Sequence, residues 1–186
     1  MSALRVRWIA VIVASLLVGL AGPAWAQSDL PPGLSIEGYP DRESVVAGEE
    51  LALHTSTTAG EYSIEIARLG AERKVVFQQA KIPGGGFHAI PEHASANGCG
   101  WPVTFKMPVP AEWTSGYYQI VFRVTDGGGR FVVRNRRVAE AEAFFIVRPA
   151  EPGKNAKILL QLSTNTYNAY NNWGGGSLYA YNGRAN

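Results

Sequence analysis

The sequence has almost no cysteine. Cys99 is the only one among 186 residues, so no internal disulfide can form. That excludes the small disulfide-stapled scaffolds of secreted proteins. Charge is sparse as well: Asp, Glu, Lys and Arg make up 17% of the chain, a low share for a globular protein. The first 26 residues hold Arg5 and Arg7 and no acid, so without them 15 basic residues face 15 acidic ones. A neutral chain lacks the basic surface that nucleic acid requires, and no nucleic-acid partner is expected. Strong helical periodicity is absent too; residues 137–143 offer at most a turn or two. The glycine runs at 84–86, 127–129 and 174–176 are not followed by Lys-Ser/Thr and open no helix after a strand. None is a phosphate loop.

Long apolar runs are confined to the start. Arg5 and Arg7 precede an apolar stretch at residues 9–20, and Ala24-Trp25-Ala26 supplies a small-x-small cleavage site. Residues 1–26 therefore read as a signal peptide, with Gln27 as the first mature residue. The apolar stretch is too short for a stable membrane span after cleavage, although an uncleaved anchor is the alternative. The protein is expected to be exported, either periplasmic or secreted.

What the chain does have is β-structure. Residues 62–69 alternate cleanly, with Tyr62, Ile64, Ile66 and Arg68 on one face. Leu51, Leu53 and Thr55 share a face in the same way. Residues 117–124 are rich in β-branched and aromatic side chains. Weaker strands are expected at 34–39, 74–78, 101–105, 131–133 and 142–147, with turns at 45–50 and 115–116. Seven or more short strands between turn signals predict an immunoglobulin- or fibronectin-like sandwich over residues 27–148. Residues 149–156, opening Pro149-Ala150-Glu151-Pro152-Gly153, are a linker.

Within the sandwich two groups offer chemistry. His88, His93 and Cys99 share a glycine- and proline-rich loop at 83–100 and carry zinc-type donors, but their spacing fits no zinc template and no fourth ligand is evident. The plain alternative is two exposed histidines and a tucked-in cysteine. Trp101, Trp113, Tyr117 and Tyr118 could line a sugar-binding platform; the reading favoured is core packing, because they sit at or beside strand starts.

The closing stretch is different in kind. An apolar run, residues 158–162, is long enough for one buried strand and too short for a helix core. Asn165, Asn168, Asn171 and Asn172 then alternate with Tyr167, Tyr170 and Trp173 before Gly174. Tyr167, Tyr170 and Trp173 are three apart and would share a face on a helical turn. A strand followed by a polar, aromatic loop is how open α/β sheets present functional groups. Residues 157–186 thus read as the first strand and loop of a truncated α/β domain. The run would lack partners on both faces, so order beyond Pro152 is expected to be poor.

Leu160-Gln161-Leu162-Ser163-Thr164-Asn165-Thr166-Tyr167-Asn168-Ala169-Tyr170-Asn171-Asn172-Trp173-Gly174-Gly175-Gly176-Ser177-Leu178-Tyr179 resembles the opening of the catalytic domain in the N,N-dimethylformamidase large (beta) subunit family. Two upstream stretches are similar in outline: residues 62–70, ending Arg68-Leu69-Gly70, and residues 113–118, with Trp113, Ser115, Gly116 and Tyr118. The resemblance implies an amide hydrolase that splits a small N-substituted amide into acid and amine. It also implies mononuclear iron held by two tyrosines and a glutamate. Phenolate and carboxylate oxygens suit such a hard ion. Tyr167 and Tyr170 are the candidates here, at most one being a ligand, with Asn165, Asn168, Asn171 and Trp173 as the substrate loop. The other ligands would lie beyond Asn186, so iron is expected only in a full-length protein, and this chain by itself is expected to be inactive. A reading from another class is a periplasmic or surface binding module, its tail adding a strand to the sandwich. The sequence leaves the oligomeric state open.

Overall fold

The computed structural model describes residues 33–92, 94–125, 138–154, 157–171 and 173. Eight strands among them form two sheets. Strands β1 (Ile36–Pro40), β3 (Glu50–Thr57) and β6 (Val103–Pro108) make an antiparallel sheet in the order β1-β3-β6. Strands β2 (Ser44–Val46), β4 (Glu61–Leu69), β5 (Arg73–Pro83), β7 (Gly116–Thr125) and β8 (Val138–Arg148) make the other, in the order β2-β8-β7-β4-β5. Its pairs are antiparallel except for β2, which runs parallel to β8. The chain changes sheet at β1 to β2, β2 to β3, β3 to β4, β5 to β6 and β6 to β7. With β8, β7 and β4 as the central trio and β5 added at its side, this is an immunoglobulin-like sandwich.

Alternation builds its core. Tyr62, Ile64 and Ile66 of β4 are buried, and so are Leu51 and Leu53 of β3. Tyr118, Ile120, Phe122 and Val124 of β7 join Phe145 and Val147 of β8 in the same cluster. Side chains at every second position from both inner faces interdigitate, as in any aligned sandwich.

No disulfide ties the sheets, so other contacts must. The phenol of Tyr118 donates to the Thr114 carbonyl at 2.7 Å, the tyrosine corner of immunoglobulin-type domains. Two residues further on, where those domains carry their second cysteine, Ile120 stands fully buried. Trp113 stacks on Tyr118 with ring centroids 4.9 Å apart, and Tyr118 stacks on Phe145 at 5.4 Å. Arg68 closes the corner from β4 by donating to the Ser115 carbonyl at 3.1 Å. It crosses so close to Gly116 that a Cβ there would lie 2.9 Å from Arg68 Nε. The two upstream motifs, ending at Gly70 and Tyr118, are thus one physical unit.

Three expectations change. Residues 138–143 form the first half of β8, not a helical turn, because each pairs with β7 between Ile120 and Thr125. Strand β5 is far longer than residues 74–78; it lies at a sheet edge with mostly exposed side chains, so no alternation marks it. Residues 45–50 are not all turn, since Val45 and Val46 belong to β2. The loop at 83–100 contains one short helix, α1 (Ala94–Asn97). The signal peptide expected at residues 1–26 and the strand expected at 131–133 lie outside the described residues. Among the described residues no helix is long and apolar enough to cross a membrane.

The outer face of the larger sheet carries a charged lattice. Glu65 accepts from Arg73 at 2.6 Å and from Gln78 at 2.8 Å. The Arg73 bond, then that of Gln78, holds the Glu65 carboxyl below its usual range. A depressed carboxylate stabilises the fold above its unfolded value, near 4.5, and that contribution is lost as pH falls through the lower folded value. Melting curves below about pH 5 should therefore show a shallower acid loss for Glu65→Gln than for the parent. Parallel losses would remove Glu65 from the acid response.

Candidate functional site

The asparagine- and tyrosine-rich stretch folds as a helix. In α2 (Thr164–Tyr170) the Ser163 carbonyl accepts from the amides of Thr166 at 2.9 Å and Tyr167 at 3.3 Å. The Asn171 amide donates to the Tyr167 carbonyl at 2.9 Å. The Asn171 side chain then accepts from the Trp173 amide at 3.0 Å, which turns the chain as the helix ends. Tyr167 and Tyr170 lie one turn apart and are 55% and 62% exposed. Asn165 is exposed, and Asn168 lies within α2. Residues 158–162 form no strand and add none to either sheet. Ile158, Leu159 and Leu160 are instead 90%, 88% and 75% exposed. This corrects the strand expected there, and with it the tail strand of the binding-module reading.

Two side chains of this segment rest on the sandwich. The Trp173 ring lies 5.6 Å from that of Trp101. Trp101 precedes β6 and is held on three sides. Its amide donates to the Tyr39 phenol at 3.1 Å, its indole N–H donates to the Ala89 carbonyl at 3.0 Å, and its carbonyl lies 2.6 Å from His54 Nδ1. A carbonyl can only accept, so His54 carries its proton on Nδ1. Tyr39 of β1 and His54 of β3 are cross-strand partners and stack at 4.9 Å, and Tyr39 also meets Trp101 at 5.5 Å. Four rings thus run from the smaller sheet to Trp173.

Tyr167 makes the other contact. Its ring lies 5.6 Å from Phe144, which stacks on Tyr117 at 5.0 Å. Phe144 and Tyr117 face outward on β8 and β7, beyond the end of the charged lattice. Burial, with Tyr167 and Glu142 nearby, pushes the Tyr117 phenol above its ordinary value.

The four aromatics weighed as one platform are separated. Trp113 and Tyr118 pack with the core, Tyr117 joins Phe144 outside the larger sheet, and Trp101 joins Tyr39 and His54. The zinc-type group is not assembled among the described residues either. His93 lies outside them, and they contain no cluster of three or more His, Cys, Asp or Glu able to hold a metal. Burial pushes the Cys99 thiol up, so little of it is thiolate at neutral pH. Sequence reasoning missed Tyr39, His54 and Phe144. One signal was there for His54: with Leu51, Leu53 and Thr55 inward, it must face out.

As donors, the two phenols of α2 fit a hard metal ion. As a set they do not complete a site, because no carboxylate or imidazole cluster stands with them among the described residues. A family model described as N,N-dimethylformamidase beta subunit-like, C-terminal, matches residues 63–186. The match starts inside β4, crosses residues 149–156 and includes α2. No curated protein matches.

Proposed function

Because the chain belongs to the N,N-dimethylformamidase beta subunit-like family, we propose that it serves hydrolysis of a small N-substituted amide, with one tyrosine of α2 as a metal ligand. The observation that carries this reading is the pair of accessible phenols one turn apart, inside the matched segment. A bound iron ion would supply Lewis acidity, polarising an amide carbonyl and acidifying a water. The chain's own part is to present a phenol oxygen from a short helix, in the stretch that also holds Asn165, Asn168, Asn171 and Trp173. The remaining ligands come from outside the described residues. Export belongs to the same reading and is supported by Arg5, Arg7 and the Ala24-Trp25-Ala26 site.

The test is iron content of the full translated product, purified from its exported fraction. Its intact mass should place the first residue at Gln27. Of Tyr167→Phe and Tyr170→Phe, one is expected to lower bound iron at least tenfold and the other to leave it unchanged. Unchanged iron in both would end the proposal.

A further inference from the structure

We propose that the sandwich carries a two-point aromatic seat for residues 164–173, in which Trp173 on Trp101 and Tyr167 on Phe144 are positioning contacts. Resting on the reading above, the ring of Tyr167 serves the seat, and the metal-binding oxygen is assigned to Tyr170, one turn on and 62% exposed.

The seat is built before anything rests on it. Both polar backbone groups of Trp101 and its indole N–H are bonded, to Tyr39, His54 and Ala89. Its side chain therefore has a fixed orientation, and it sits outside the main core cluster although it is 5% exposed. The face it offers is the one Trp173 covers at 5.6 Å, with planes 38° apart. The geometry falls within the range in which aromatic pairs attract. The second point is equally fixed. Phe144 is clamped by stacking on Tyr117, and both belong to the paired ladder of β7 and β8. Tyr167 meets it at 51°, a tilted arrangement with the same favourable sense. Ala169, in the same helix, is 8% exposed.

Two contacts six residues apart fix more than attachment: they set the rotation of a seven-residue helix about its own axis. One contact would leave α2 free to swing. Two determine which way the phenol of Tyr170 is carried. In Tyr167, the ring makes the contact, so removing its hydroxyl should cost the seat little.

Hydrogen exchange on the full chain tests this. The bonded amides of Thr166, Tyr167 and Asn171 should exchange about three- to tenfold faster in Trp173→Ala and in Tyr167→Ala, the factor an aromatic pair contributes. Amides of β3, β4 and β7 should keep the parent's rates, because both substitutions lie outside the sandwich. Tyr167→Phe should restore slow exchange. Parent rates in both alanine variants would overturn the seat. On the iron assay, Tyr167→Phe should retain the metal and Tyr170→Phe should lose it. The reverse would overturn the division of roles while leaving the seat to the exchange data. Iron retained by both would sink the hydrolase reading and the division of roles with it, while exchange judges the seat separately.

Discussion

Replacing Phe122 by alanine is expected to destabilise the sandwich by about 3–5 kcal/mol, the cost of an aromatic cavity in a closed core. That corresponds to a fall of more than about 10 °C in Tm. Phe122 is fully buried, and Tyr62 from β4 leans on it at 6.4 Å. The most informative neighbour is Gly38 of β1. A Cβ built there would lie 2.8 Å from Cε2 and Cζ of Phe122 and 3.1 Å from the His54 carbonyl. The glycine lets one strand approach the ring that fills the space between the sheets. Gly38→Ala should cost about 1–3 kcal/mol by overpacking, because a buried ring cannot step aside. In a Phe122→Leu background the same change should cost at least 1 kcal/mol less, roughly, since the shorter side chain leaves room. Denaturant melts of the four proteins measure this coupling. Additive costs, within about 0.5 kcal/mol, would show that ring and glycine do not meet.

At the tyrosine corner, Tyr118→Phe should cost about 1–2 kcal/mol, because the Thr114 carbonyl loses its donor in a half-dry corner. Tyr118→Ala should cost about 3–5 kcal/mol, since Trp113 and Phe145 both lose the ring they stack on. The gap between the two substitutions separates packing from hydrogen bonding. If Tyr118→Phe melted with the parent, the corner would be a matter of packing alone. The burial that makes the corner strong also pushes the Tyr118 phenol above its ordinary value, although Thr114 and Arg68 pull the other way. It therefore stays a donor across the neutral range.

The sandwich was legible because its strands obey a period of two wherever one face is covered. Residues 62–69 and 117–124 show this plainly, and they became the paired centre, β4 and β7. The period fails where most of a strand is exposed, which hid the length of β5, and where alanines replace bulky residues. Ala139, Ala141 and Ala143 do pack against the core, but RVAEAEA reads locally as helix. The corner was only half legible. Arg68 and Tyr118 each stood in a short motif, yet their meeting depends on strand pairing across 50 residues of chain. The candidate site was legible in composition and in its spacing of three, which the helix respects. What the sequence could not show was the seat. Tyr39, His54 and Phe144 look like ordinary strand residues until register puts them under Trp101 and Tyr167. Residues 158–162 misled by their apolarity. A run of that kind forms a strand only when a neighbouring strand is present to pair with it.

The rim formed by β5 has a consequence for how the molecule behaves in company. Its ladder to β4 slips twice, between Tyr62 and Ile64 and between Ile66 and Ala67, and Lys81 sits at a φ of 56°. Arg73, Lys74 and Lys81 add like charges along it, and Pro83 closes it. A second copy arriving edge-on would find donors and acceptors out of step and cations facing cations. Crowded solutions of this protein are thus guarded, on that side, against sheets fusing into ribbons.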